Sequence, residues 1–177
     1  LSVVDRDLNC ISFINSLCHS FGSGIISEKT GVLFHNRGVN FRIKENHPNS
    51  IMGHTRPLHT IIPGLLSDKN NNAIFSYGVM GGQYQPVGQM HVLQNIYDYG
   101  MTVQEAIDFP RAFILNGKLK IEKNISNETF KKLKKIGHDL NYTNDTIGGG
   151  QGIMIDRRNG VLIGGSDSRK DGQAIGY

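Results

Sequence analysis

The sequence predicts a mixed α/β (α+β) domain in which helices pack on a sheet. Three observations predict it. Short segments with alternating apolar residues lie at both ends of the chain and in its middle. Two stretches, 86–99 and 127–136, carry apolar residues at helical spacing instead. With 22 glycines, no tryptophan and 38% hydrophobic residues, the composition suits a turn-rich globular domain rather than a disordered chain. The 177 residues suffice for one domain with its own core, and a single domain over 1–177 is expected.

The elements follow in order. Residues 1–16 read as a β-hairpin, with Leu1, Val3, Ile11 and Phe13 forming an apolar face and Arg6-Asp7-Leu8 the turn. If Asp5 faces Asn9, then Val4 faces Cys10, Ser2 faces Ser12, and Ser16 faces the position three before Leu1. The chain opens as though inside a strand, which reads as a fragment or a processed product. A flexible turn at Phe21-Gly-Ser-Gly24 precedes a short strand at Val32-Leu-Phe34 that ends in His35-Asn-Arg-Gly38. Residues 42–57, rich in Asn, His, Pro and Gly, read as an irregular loop.

Past Pro63-Gly64 and the apolar Leu65-Leu66, a turn at Asp68–Asn72 leads to a strand over Ala73–Val79. Pro86–Tyr99 is a one-faced helix closed by Gly100, and Val103–Asp108 a second helix with Thr102 and Glu105 at capping-box spacing. Pro110 stops it. Lys118–Glu122 alternates like an edge strand. Asn127–Ile136 is an amphipathic helix with Phe130, Leu133 and Ile136 inward, and Gly152–Gly164 a hairpin turning at Asn159-Gly160 in type I′ geometry.

Composition excludes several function classes. The net charge is +4, but seven lysines lie within residues 118–135, where a solvated face accounts for them; no aromatics are interleaved to stack bases, so no nucleic-acid partner is expected. No apolar run approaches the roughly 20 residues of a membrane span. The two cysteines, Cys10 and Cys18, are too few for a disulfide framework and read as reduced and partly buried. The seven histidines show no spacing typical of zinc sites, so neither a metal nor another cofactor is expected. The compartment stays open, with a cytoplasmic setting favoured over a periplasmic or secreted one.

The segment richest in chemistry is Tyr77-Gly-Val-Met-Gly-Gly-Gln83, a strand running into two glycines and then a helix. Consecutive backbone N–H groups at such a junction, with no side chain in the way, can hold a developing negative charge. Gly81 and Gly82 are therefore candidate oxyanion-hole residues. A plain turn is the alternative. Gln83 and Gln85 beside them either line a pocket or cap the following helix.

Several segments in order resemble the γ-glutamyltranspeptidases across essentially the whole chain: Leu1-Ser-Val-Val-Asp-Arg-Asp7, Phe21-Gly-Ser-Gly24, Arg56-Pro-Leu58, Gly81-Gly82, Asp98-Tyr-Gly100, Ala106-Ile-Asp-Phe-Pro-Arg111, Ser166-Asp-Ser-Arg-Lys-Asp-Gly172 and Gly176-Tyr177. The resemblance implies a four-layer αββα N-terminal nucleophile hydrolase fold, with this chain as the small-subunit part of the sandwich. It also implies a precursor that cleaves itself to free a threonine three residues before the position of Leu1, and a large subunit from the same precursor as partner. A higher oligomer stays open. The hydroxyl that hydrogen-bonds the nucleophile in that family matches Ser16, the residue that the hairpin arithmetic places opposite the same position.

Substrate residues carry over with changes. The family's amide side chains and carboxylate that hold a glutamyl α-amino group match Cys18, Arg37 and Asn40, with Asn36 beside them, and its paired serines for the α-carboxylate match His59 and Thr60. A cation and neutral groups thus stand where an ammonium would find its partners, and Arg37 could pair a carboxylate bidentately instead. The wording around these residues resembles a divergent bacterial and archaeal branch that includes acylases of cephalosporin type. The implied function is a γ-glutamyl hydrolase or transferase acting on glutathione and related amides through an acyl-enzyme. A related amidohydrolase and a non-catalytic relative are the alternatives. Asp167 and Asp171 read as residues that hold a turn.

Overall fold

The computed structural model describes residues 1–177, and the chain divides into two compact units: Leu1–Phe13 with Ile62–Tyr177, and Ile14–Ile61. The first unit holds all the regular strands and α-helices. The strands are β1 (Ser2–Val4), β2 (Cys10–Ser12), β3 (Gly64–Ser67), β4 (Ala73–Met80), β5 (Ala112–Leu115), β6 (Lys118–Glu122), β7 (Leu140–Thr143), β8 (Gly149–Asp156) and β9 (Val161–Ser166); the helices are α1 (Gln85–Tyr97), α2 (Val103–Asp108) and α3 (Asn127–Lys135). The main sheet is antiparallel in the order β3-β4-β8-β9.

Its central strand β4 is buried on both faces for different reasons. Phe75, Tyr77 and Val79 form, with Tyr84, Val92, Val103, Ala106 and Ile107, the core beneath α1 and α2. By the period-two alternation of a strand, Ser76 points the other way. Its hydroxyl donates to the Ile11 carbonyl at 2.8 Å, while the Ser12 hydroxyl donates to the Tyr77 carbonyl at 2.8 Å, and these bonds lay the β1-β2 hairpin on the second face. Helices, sheet and hairpin therefore stack as three layers.

The hairpin register is the one the arithmetic gives: Ser2 faces Ser12, Val3 faces Ile11, and Val4 faces Cys10. The Asp5 N–H donates to the Asn9 carbonyl at 3.1 Å, and the Asp5 carboxylate closes the turn by accepting from the Asp7 and Asn9 N–H groups. The apolar face of Leu1, Val3, Ile11 and Phe13 is the exposed one. Small hydroxyl residues permit the close approach to β4 that bulkier residues would prevent.

Four details differ from expectation. Val32–Phe34 forms no strand and contributes only a single bridge between Ile26 and Leu33, because no further strand lies alongside to extend it. Lys118–Glu122 is central in its sheet: β5 pairs antiparallel on one side and β7 parallel on the other, with α3 as the crossover. Ile136 is 73% exposed because α3 ends at Lys135, so only Phe130 and Leu133 of its apolar set turn inward. The β8-β9 connection is a four-residue loop with only Gly160 at positive φ, not a two-residue type I′ turn, because the Asp156 carboxylate accepts from the Arg158 and Asn159 N–H groups and draws all four residues into the bend.

The second unit, Ile14–Ile61, has almost no regular structure beyond a 3₁₀ turn at Arg37–Asn40. Side-chain and loop hydrogen bonds organise it instead, among them Arg37 to Thr60, Asn40 to the Leu58 carbonyl and the Leu58 N–H to Asn49.

Candidate active site

The chemistry-bearing residues fall into one group in each unit. In the first, β4 ends at Met80 and the chain turns through Gly81 at φ 134° and Gly82 at φ 58° into a 3₁₀ turn, Gly82–Tyr84, that leads directly into α1. Both values lie where a side chain is strained. A Cβ on Gly81 would also lie 2.9 Å from the Gly148 Cα, and one on Gly148 would lie 2.5 Å from the Met80 carbonyl oxygen. Glycine at both positions lets the two segments stack flat.

Neither the Gly81 nor the Gly82 N–H donates to any group of the chain. Two consecutive backbone donors are thus left unspent at a partly exposed turn. Beside them the two glutamines separate in role. Gln85 is buried and its side-chain oxygen accepts from the Ile62 N–H at 3.2 Å, whereas Gln83 is exposed and lines a cavity of about 380 Å³ with Met80, Tyr84, Phe113 and Ile147.

Beneath this turn lies a buried ionic cluster. The Asp167 carboxylate, fully buried, accepts from the Gly150 N–H at 2.7 Å, from Arg111 Nη2 at 2.7 Å and from Arg169 Nε at 2.7 Å. Arg169 Nη1 reaches Glu122 at 2.7 Å, and Arg111 Nη1 donates to the Ile147 carbonyl at 2.9 Å. Burial pushes the Asp167 carboxyl pKa up, but the Arg169 hydrogen bond, the Arg111 charge and the two backbone N–H donors outweigh it and hold the group below its ordinary value. Since Gly150 pairs with Val79 and Gly149 with Met80, the cluster fixes the strand that supports the Gly81 turn. Composition marked Asp167 only as a turn residue. Its partners lie up to 56 residues away, so the cluster is invisible to local reading.

Two aromatic-pocket groups nearby are also shifted. Burial raises the Tyr84 hydroxyl pKa to about 12. Burial, aided by the Arg111 charge, lowers that of His91.

In the second unit, Ser16, Cys18, Arg37, Asn40 and Thr60 come together through hydrogen bonds. The Ser16 hydroxyl accepts from the Cys18 N–H at 3.0 Å, and Cys18 adopts a left-handed backbone at φ 80°. That bond fixes the Ser16 rotamer while leaving its proton free to donate elsewhere. A left-handed non-glycine residue is uncommon and tends to mark places where side chains must be aimed.

Arg37 opens the 3₁₀ turn and is only 3% exposed; its N–H donates to His35 Nδ1 at 3.1 Å, its Nη1 to the Thr60 hydroxyl at 3.0 Å, and its Nη2 reaches the Ser16 carbonyl at 3.5 Å. Asn40 donates from its amide to the Leu58 carbonyl at 3.0 Å and toward the Cys18 sulfur at 3.9 Å. Asn36 joins this group through the backbone and pairs with His19, accepting from its N–H at 3.1 Å. His59 is exposed and bonded to none of them. No group of three or more His, Cys, Asp or Glu side chains is placed to hold a metal ion, and no helix is long and apolar enough to cross a membrane.

A sequence profile described as Gamma-glutamyltranspeptidase matches residues 1–177. The chain belongs to the γ-glutamyltranspeptidase family. Among curated relatives of this γ-glutamyltranspeptidase-family chain, the "Glutathione hydrolase-like YwrD proenzyme" of Bacillus subtilis is 36% identical over 99% of the chain and 35% of its own length. The "Oxamate amidohydrolase proenzyme" of Klebsiella pneumoniae is 31% identical over 100% of the chain and 35% of its length. The chain thus spans 35% of the length of these relatives. Among solved structures, the cephalosporin acylase from Bacillus halodurans superposes with a TM-score of 0.92 at 39% identity, over 99% of this chain and 34% of that one. The fold is that of the N-terminal nucleophile hydrolases.

Proposed function

We propose that this chain is the small-subunit part of an autoprocessed amide hydrolase or acyltransferase of the γ-glutamyl type, acting through an N-terminal threonine three residues before Leu1. The observation that carries the reading is the pair of unspent N–H donors at Gly81 and Gly82, at the strand end where the family resemblance puts an oxyanion hole. The relatives support it: glutathione, oxamate and cephalosporin derivatives are all amides, and two of these relatives are named as proenzymes.

The roles follow from chemistry. The threonine hydroxyl, its proton taken by its own α-amino group, bonds to the acyl carbon; the C–N bond breaks and the proton leaves with the amine. Ser16, its acceptor lone pair held by the Cys18 N–H, donates to and orients that hydroxyl. Gly81 and Gly82 stabilise the oxyanion, each donor contributing about 3–4 kcal/mol in such sites. Water or an amino-acid amine then attacks the ester and returns the proton to threonine. The other subunit of the precursor is the partner, and Asn36, Arg37, Asn40, His59, Thr60 and Cys18 line the acyl site.

Intact mass of the full-length precursor before and after incubation tests the reading. Cleavage immediately before a threonine, followed by release of p-nitroaniline from γ-glutamyl-, glutaryl- or pentanoyl-p-nitroanilide, is expected. A precursor that stays whole and cleaves none of the three refutes it.

A further inference from the structure

Arg37 is a guanidinium with 3% exposure and no carboxylate within 4 Å. Burying a charge without a counter-ion costs several kcal/mol, so such residues are normally paired. Its two protein acceptors, the Thr60 hydroxyl and the Ser16 carbonyl, are neutral and use two of five N–H donors. The Arg37 main-chain N–H donates to His35 Nδ1, and the fork itself is oriented by the Thr60 hydroxyl and the Ser16 carbonyl. Thr60 accepts from Arg37 and keeps a proton to give to the same ligand.

We infer that Arg37 is the receptor for a carboxylate on the acyl group, and that the acyl donors are amides of short ω-carboxy acids with no free α-amino group, of which glutaryl amides are the type. This rests on the acyl-transfer reading above, and it follows from what surrounds Arg37. A carboxylate on Arg37 lies beside Ser16, which limits the chain between carboxylate and scissile carbonyl to a few carbons.

No carboxylate in this unit is placed beside Arg37, Asn40 or Cys18 to pair with an ammonium. Asn40, with its amide donors on the Leu58 carbonyl and toward the Cys18 sulfur, can offer a ligand only a neutral carbonyl oxygen. Residues 14–61 contain five Lys or Arg against two acids, Glu28 and Glu45, both exposed and neither bonded to Arg37, Asn40 or Cys18. The charge balance therefore favours an anionic acyl tail and disfavours a zwitterionic one.

The test uses the full-length, self-processed enzyme and three p-nitroanilides of equal chain length: glutaryl, pentanoyl and γ-glutamyl. Glutaryl should exceed pentanoyl in kcat/KM by on the order of 100-fold, because a buried cation left unpaired penalises the neutral analogue. It should also exceed γ-glutamyl. Arg37→Gln should collapse the glutaryl-to-pentanoyl ratio of kcat/KM from on the order of 100 to near one, and Arg37→Lys should restore part of it.

An equal fall in all three substrates marks a merely structural arginine and overturns the inference, as does a γ-glutamyl rate above the glutaryl one. Pentanoyl hydrolysis that survives in either case leaves the acyl-transfer reading standing. If no amide is cleaved at all, glutarate binding still decides: a rise in melting temperature of the wild-type enzyme with glutarate, absent in Arg37→Gln, supports the receptor, and no rise in the wild type overturns it.

Discussion

Replacing Asp167 by asparagine keeps the shape of the side chain and removes one negative charge from between two arginines. Asp167 is fully buried, Arg111 is 4% exposed, and three of the bonds to the carboxylate measure 2.7 Å. The amide turns one acceptor into a donor facing Arg111, Arg169 or the Gly150 N–H, and leaves Glu122 as the cluster's only anion. Breaking a buried pair from one side costs about 3–5 kcal/mol. For a chain of this size that is a fall of roughly 10 °C in melting temperature.

The assay is thermal denaturation of the processed full-length enzyme, wild type against Asp167→Asn, with Arg111→Met and Arg111→Met/Asp167→Leu completing a cycle. The double variant should lose less than the sum of the singles, since an apolar replacement leaves no charge stranded. Acid gives an independent check. The Asp167 pKa is depressed in the fold, so its contribution is complete above the ordinary carboxylate value near 3.9 and is lost as pH falls through the lowered one. Wild type and Asp167→Asn should therefore converge in strong acid. A loss below about 1 kcal/mol at neutral pH, or strict additivity in the cycle, would refute the argument that this cluster holds β8 in place.

Three further outcomes are expected. Gly81→Ala forces a Cβ to 2.9 Å from Gly148 at a φ of 134° and should lower single-turnover acylation by about 100-fold or more, which a change of only a few-fold would contradict. Ile107→Ala empties a site that is 1% exposed and packs against Gly150 and Gly165; urea denaturation should show a loss of about 2–5 kcal/mol. His91, with its pKa lowered by burial and then by Arg111, contributes fully above the ordinary histidine value near 6.5 and progressively less as pH falls toward its own, so denaturant midpoints measured from pH 8 to pH 5 should fall more in the wild type than in His91→Gln.

How much was legible depended on the range of the interaction. The β1-β2 register followed from one local assumption, that Asp5 faces Asn9, because a hairpin propagates its pairing residue by residue. The Thr102–Glu105 capping box was legible because both bonds close within four residues. The four-residue β8-β9 loop was not, since Asn-Gly reads as type I′ whether or not an aspartate three residues upstream captures the loop N–H groups. Nor was the middle position of β6, which depends on β7 arriving in parallel after a helical crossover.

By itself the sequence determined the class of fold, the family, the two-glycine turn after β4, and the substitution of a cation for an ammonium's partners at residue 37. Those are local facts, written in spacing and residue type. Only the tertiary structure decided that Arg37 is buried without a counter-ion, that Thr60 and Ser16 share its donors, and that Asp167 clamps Gly150 beneath the Gly81 turn. Each of these joins residues 17 or more positions apart, and the energy of a charge is set by what surrounds it in space rather than by its neighbours along the chain.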